Sequence, residues 1–144
     1  MADIKKSSDA LAAVLVGSKN DWPKIKDVFE QLEKSGIPYD KCVLSAHRDP
    51  EELREYLSEL PSREVKIIIT AAGMSNALSG TVAAFSELPV IGIPIEGDNE
   101  LQTEAALLST LMMPPGKPVA TVAPNGGKNA ALLAERFLKL IPAD

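Results

Sequence analysis

The sequence predicts a doubly wound α/β fold on a five-stranded parallel sheet, and three observations carry that prediction. Its apolar runs are continuous rather than alternating, as strands buried on both faces must be. Segments with helical spacing separate them, so strand and helix alternate along the chain. Each strand gives way to a junction of Gly, Ser, Asn, Asp or Pro. Right-handed crossovers then leave few topologies, and the strand order 2-1-3-4-5 is the one expected.

Leu11 to Val16 is the first apolar run, broken by Gly17-Ser18-Lys19-Asn20-Asp21. A helix follows, with Pro23 in its first turn and Ile25, Val28, Phe29 and Leu32 at i, i+3, i+4 and i+7. Gly36 ends it, and Pro38 leads into the second strand, Tyr39 to Ser45. Asp49, Pro50 and Glu52 have the order of a cap, a first-turn proline and a capping box, ahead of Leu53, Tyr56, Leu57 and Leu60. Val65 to Thr70 is the third strand, followed by Ala71 to Asn76 and a small-residue helix through Phe85. The fourth, Pro89 to Ile95, runs into Glu96-Gly97-Asp98-Asn99 and a helix marked by Leu101, Ala105, Leu108 and Met112. The fifth, Pro118 to Ala123, precedes Pro124-Asn125-Gly126-Gly127 and a helix carrying Ala130, Leu133, Ala134, Phe137 and Leu138.

The 144 residues are expected to form one domain, residues 1–144, with residues 1–10 as a flexible N-terminus. A hydrophobic fraction of 45% and a charged fraction of 24% are ordinary for a globular protein. The net charge of −5 argues against a nucleic-acid partner but leaves room for a local phosphate pocket. Cys42 is the single cysteine, which excludes an internal disulfide and fits a reducing compartment. No apolar run approaches the ~20 residues of a membrane span, and the polar first ten residues do not read as a signal peptide. The expected location is cytoplasmic.

In such a sheet the strand-to-helix loops open on one edge, where ligands bind. His47, the only histidine, sits in the second of these loops beside Arg48. An imidazole titrates near neutral pH and is the natural proton carrier there. Ser18 offers a hydroxyl, Arg48 a fork for phosphate or carboxylate, and Asp21 an acceptor for sugar hydroxyls. Taken singly, Ser18 and Asp21 read equally well as helix caps. One His and one Cys make no zinc cluster, so no metal is expected. The phosphate-loop, Gly-x-Ser-x-Gly and Gly-x-Gly-x-x-Gly spacings are absent. What remains suits proton transfer on a small phosphorylated molecule without a cofactor.

Four segments carry a resemblance: Gly17-Ser18-Lys19-Asn20-Asp21-Trp22-Pro23, Ser45-Ala46-His47-Arg48-Asp49-Pro50, Ala72 through Gly80, and Met113 through Val122. They resemble the aminoimidazole ribonucleotide carboxylase/mutase family of purine biosynthesis, in order from about Ala13 to Leu138. The resemblance implies a flavodoxin-like three-layer fold, a homo-octamer with sites completed by neighbours, and no ATP, biotin or metal. By motif, His47 matches the proton carrier, and Ser18, Asp21 and Arg48 match substrate-binding positions. Gly73, Ser75 and Asn76 fall in the loop that closes over the imidazole and carboxylate. Ser45 joins them as a substrate-binding candidate, and the Lys128 region is a further candidate for the ribose phosphate.

The family has two classes. Mutases move a carboxyl from the exocyclic nitrogen of N5-carboxyaminoimidazole ribonucleotide to C4, and typically read Gly-Gly-Ala-Ala-His-Leu-Pro-Gly in the third loop. Direct carboxylases add CO2 to C4 of 5-aminoimidazole ribonucleotide. Here the loop reads Gly-Met-Ser-Asn-Ala-Leu-Ser-Gly, with Ala77 at the second histidine. That loop resembles the carboxylases, as does an end at Asp144 without the extra C-terminal helix usual in mutases, whereas Arg48 is the mutase-like choice. The motifs together point to carboxylation with CO2, giving 4-carboxy-5-aminoimidazole ribonucleotide, with the mutase as the alternative. A non-catalytic nucleotide-binding protein is the competing reading from another class. It leaves the pairing of His47 with Arg48 unexplained.

Overall fold

A computed structural model describes residues 1–143. Asp144, on which the reading of the chain end rested, lies outside the described residues. The strands are β1 (Asp3–Lys5), β2 (Ala12–Val16), β3 (Tyr39–Val43), β4 (Ile67–Ala72), β5 (Val90–Pro94) and β6 (Ala120–Thr121). The α-helices are α1 (Lys26–Lys34), α2 (Pro50–Glu59), α3 (Ala77–Phe85), α4 (Glu100–Leu111) and α5 (Gly127–Lys139). The sheet runs β1-β3-β2-β4-β5-β6, with all pairs parallel except β1 with β3. Within the parallel set this is the order 2-1-3-4-5, a flavodoxin-like arrangement.

Side-chain alternation splits the core in two. Val14 and Val16, Ile67 and Ile69, and Ile91 and Ile93 pack with Ile25, Val28 and Leu32 of the first helical segment and Ala130, Ala131 and Ala134 of α5. Ala13, Leu15 and Ile68 face the other way, onto Leu53, Tyr56 and Leu57 of α2 and Leu78, Val82 and Ala83 of α3. No helix among the described residues is long and apolar enough to cross a membrane.

Four details depart from the sequence reading. The N-terminal stretch expected to be flexible contains β1, whose register pairs Asp3 with Val43 and Lys5 with Lys41. The pairing is through main chain, so no apolar pattern announces it. The first helix opens as a 3-10 segment, Lys19–Ile25, and becomes α-helical only from Lys26. Asp49 stands at the N-cap of α2 without capping it; its carboxylate turns back to accept from the Ser45 N–H at 3.0 Å. That N–H lies just past the strand end at a buried residue, where an orphan donor is costly. Finally, Leu101 and Leu108 on α4 and Met112 at its C-cap are 75%, 46% and 77% exposed. The face of α4 against the sheet is small, Ala106 and Thr110, because α4 lies close over Gly92 of β5.

One buried charge ties the N-terminal segment to this frame. Asp40, fully buried on β3, accepts from Tyr56 Oη at 2.7 Å, from the Ser7 N–H at 2.8 Å and from both terminal nitrogens of Arg63. Burial alone would raise its carboxyl, but these donors outweigh burial and hold it below the usual carboxylate range. A depressed carboxyl contributes stability above its unfolded value and loses it as pH falls through the folded one. Arg63→Met strands the carboxylate, and we expect a loss of roughly 3 kcal/mol near neutral pH. Urea unfolding should show that loss shrinking in acid, where a protonated Asp40 needs no cation. An equal loss at every pH would contradict this account of the pair.

Candidate active site

The loops after β2 and β4 flank the point where strand order reverses, and the chain opens there into a cleft of about 680 Å³. Its walls come from four strand-to-helix loops. Gly17, Ser18, Asp21 and Lys24 line one side, Ser45, His47 and Arg48 a second, Gly73, Met74 and Ser75 a third, and Ile95 to Asp98 the fourth. The cleft therefore gathers Ser18, Asp21, Ser45, His47, Arg48, Gly73 and Ser75 from the sequence expectations.

The local fold explains each position. Ser18 caps the 3-10 segment, its hydroxyl accepting from the Asn20 N–H at 3.2 Å. A 3-10 helix has three residues per turn, so Ser18, Asp21 and Lys24 fall in line along one face. Ser45 is 6% exposed; its hydroxyl accepts from the Arg48 N–H at 3.2 Å and so shapes the turn that carries His47. His47 and Arg48 are themselves exposed on the cleft wall. The Arg48 guanidinium donates to Gly17 O at 2.7 Å, and Lys24 Nζ donates to Glu96 O at 2.8 Å. Both cations are thus steadied by neutral carbonyls, which leaves their charge available to an anionic ligand.

Asn76 departs from the expectation of a ligand contact. It is 2% exposed and lies beneath the cleft, its amide already bonded to Ser79 and Thr110. The Lys128 region is also outside the cleft. The Lys128 N–H donates to Asp27 Oδ2 at 3.1 Å, so a carboxylate already occupies the amino end of α5 and repels a phosphate there. Lys24 is the residue the sequence reading missed. Its signal was the triplet spacing from Ser18 through Asp21, which an α-helical reading of that turn hides.

Three comparisons bear on this arrangement. A family model described as AIR carboxylase matches residues 11–142. An N5-carboxyaminoimidazole ribonucleotide mutase of Saccharolobus solfataricus is 49% identical over 126 residues, covering 88% of this chain and 79% of that protein. A phosphoribosylaminoimidazole carboxylase of Candida albicans is 44% identical over 128 residues, covering 89% of this chain and 22% of that protein. The crystal structure of Treponema denticola PurE superposes with a TM-score of 0.82 at 36% identity, covering 92% of this chain and 82% of that one.

Asp21 bears a cost for its place in the cleft. Burial raises its carboxyl above the ordinary value, and the nearby charges of Lys24 and Arg48 offset this only in part. A carboxyl raised on folding favours the folded state when protonated, and that contribution is lost as pH rises through the folded value. At neutral pH an ionised Asp21 therefore destabilises the chain. Asp21→Asn should raise Tm by a few degrees near neutral pH, an advantage that fades in acid. Calorimetry at both ends of that range checks it; a lower Tm at neutral pH would mean that the carboxylate is a structural partner instead.

Proposed function

This chain belongs to the AIR carboxylase family of purine biosynthesis, and from that premise we propose that it places a carboxylate on C4 of aminoimidazole ribonucleotide. The observation that carries the reading is the cleft itself, where one imidazole shares a cavity with two cations that donate to main-chain carbonyls and with the Gly73–Ser75 loop. We take the carboxyl source to be N5-carboxyaminoimidazole ribonucleotide, the substrate named in the relatives from Saccharolobus solfataricus and, at 43% identity, Pseudomonas aeruginosa. The sequence reading put CO2 first. Ala77 on the cleft wall still favours that second reading, since it leaves His47 as the only imidazole in the chain.

The residues divide the work by charge. Ser18, Ser45 and Arg48 hold the ribose phosphate, and Asp21 accepts from ribose hydroxyls. Main-chain donors of Gly73, Met74 and Ser75 face the carboxylate as it forms. No nucleophilic side chain is needed, because the exocyclic amine pushes electron density onto C4. In the mutase direction cationic His47 gives a proton to the exocyclic nitrogen as the carbamate C–N bond breaks and CO2 leaves. C4 then attacks the trapped CO2, and neutral His47 takes the C4 proton, restoring aromaticity and its own charge. One proton moves from C4 to nitrogen and none is released. Direct carboxylation uses only the second half, and His47 must shed one proton to solvent per turnover. Both routes require CO2 to be held beside C4, since its escape would forfeit that proximity.

The enzyme so described works on a free ribonucleotide, with no cofactor and no nucleic-acid or membrane partner, in the cytoplasm. The family resemblance adds a homo-octamer. The outward apolar residues of α4, Leu101, Leu108, Leu111 and Met112, offer a face for a second copy. Sedimentation at the mass of a single chain would remove the octamer from this account.

Carboxyl-labelled N5-carboxyaminoimidazole ribonucleotide in unlabelled bicarbonate separates the readings. A mutase keeps most of the label in the C4 carboxylate. A carboxylase leaves the labelled substrate unused and makes unlabelled product from aminoimidazole ribonucleotide at a rate that rises with bicarbonate. Turnover of neither substrate returns the chain to the class of nucleotide-binding proteins. His47→Asn should keep product binding while cutting turnover by at least about a hundredfold; undiminished turnover would end the proton-carrier role.

A further inference from the structure

Beneath the loop that faces the carboxylate lies a polar network in a region otherwise packed with small and apolar side chains. Asn76 Nδ2 donates to Ser79 Oγ at 2.9 Å and to Thr110 Oγ1 at 2.8 Å. Its Oδ1 accepts from the Ser79 N–H at 3.2 Å, and its own N–H donates to Ser109 Oγ at 2.9 Å. Ser79 Oγ lies 2.7 Å from Thr70 Oγ1 on β4, so the network runs from the sheet through α3 to α4. Asn76, Ser79, Thr70 and Thr110 are all buried.

On α4 both hydroxyls of the network find helix carbonyls to donate to. Thr110 Oγ1 donates its proton to Ala106 O at 2.7 Å, and Ser109 Oγ donates to Ala105 O at 2.7 Å. With both protons committed to helix carbonyls, lone pairs are what α4 presents to Asn76. Both side-chain N–H donors of Asn76 are committed, so it has no donor left to offer a ligand. Gly92 makes the arrangement possible. A Cβ there would meet Thr110 Cγ2 at 2.5 Å and Ser79 Oγ at 3.1 Å, so a side chain on β5 would drive α4 off the network.

Asn76 ends the segment whose main chain lines the cleft. At its other end Ala72 O is held in the ladder by the Ile95 N–H at 3.0 Å. Between these anchors Met74 is kept at φ 53°, a left-handed conformation that a non-glycine residue adopts at a cost. Such strain persists only where neighbours fix the chain on both sides. We propose that Thr110, on α4 and outside the cleft, is a positioning residue: through Asn76 it holds the Gly73–Ser75 main chain in the geometry that receives the carboxylate. This rests on the proposed function for its catalytic readout, while its structural readout does not.

The test is Thr110→Val, which keeps shape and removes the acceptor, beside Thr110→Ser, which restores it. We expect Val to lower kcat about tenfold, the size of one lost hydrogen bond, with nucleotide KM within about twofold. Amide hydrogen exchange at Asn76, whose N–H is bonded to Ser109 Oγ, should quicken by about the same factor, and Ser should recover both. Unchanged exchange in the Val variant overturns the proposal, and so does a Ser variant as impaired as Val, since packing of the methyl would then be the cause. If the Val variant does not fold, Ser109→Ala removes the acceptor for the Asn76 N–H from a more exposed position and must show the same two changes. Absence of turnover in the unaltered protein would defeat the functional reading alone, and the exchange comparison would still decide the role of Thr110.

Discussion

The constraint on which everything else depends is that a parallel sheet must be covered on both faces. Each parallel strand needs a crossover to return to the same end, and the crossover helix supplies the cover. Chain direction is therefore shared, and every strand releases its loop at the same edge. Two separate apolar clusters, one under α1 and α5 and one under α2 and α3, enforce this in the present chain. The reversal of order between β2 and β4 then opens the crevice at the one place where neighbouring loops diverge. The cleft is a consequence of how the core is closed, and the functional residues are whatever the sequence places at that mouth.

What it places there is a balance of charge that an apolar core could not tolerate. Lys24 and Arg48 cross the mouth to main-chain carbonyls of other loops, linking the first loop to the fourth and the second to the first. Asp21 sits between them with its carboxyl raised by burial. Far from the mouth, Asp40 and Arg63 form a satisfied pair that knits Ser7, β3 and α2 together. Paired charge serves the frame here, and unpaired charge serves the site.

The sequence made the parallel sheet legible because its central strands β2, β4 and β5 are continuous buried runs, and the strand order followed from handedness. It also brought out the loop that holds His47, since proline, aspartate and a single histidine mark it. Other features were hidden for physical reasons. β1 pairs through its backbone, so Asp3, Ile4 and Lys5 carry no pattern. The large residues of α4 look like a core stripe, yet Gly92 requires a thin contact, and Ala106 with Thr110 supply it. Asn76 reads as a loop donor in sequence, and only its burial shows that its bonds go inward to Ser79 and Thr110. Lys24 was masked by a helix type that spacing alone does not distinguish in its first turn.

Under the proposed function the ribonucleotide occupies the cleft at the sheet reversal with C4 against the His47 imidazole. The most direct measurement is a crystal structure of the chain with the C4-carboxylated nucleotide bound. It should show the phosphate on Ser18, Ser45 and Arg48, the carboxylate on the main chain of Gly73 to Ser75, and the imidazole within hydrogen-bond reach of C4. A nucleotide seated at the opposite edge, in the cavity of about 370 Å³ beside Leu88, Lys117 and Phe137, would contradict it. So would a nucleotide bound in the cleft with His47 turned away from the ring.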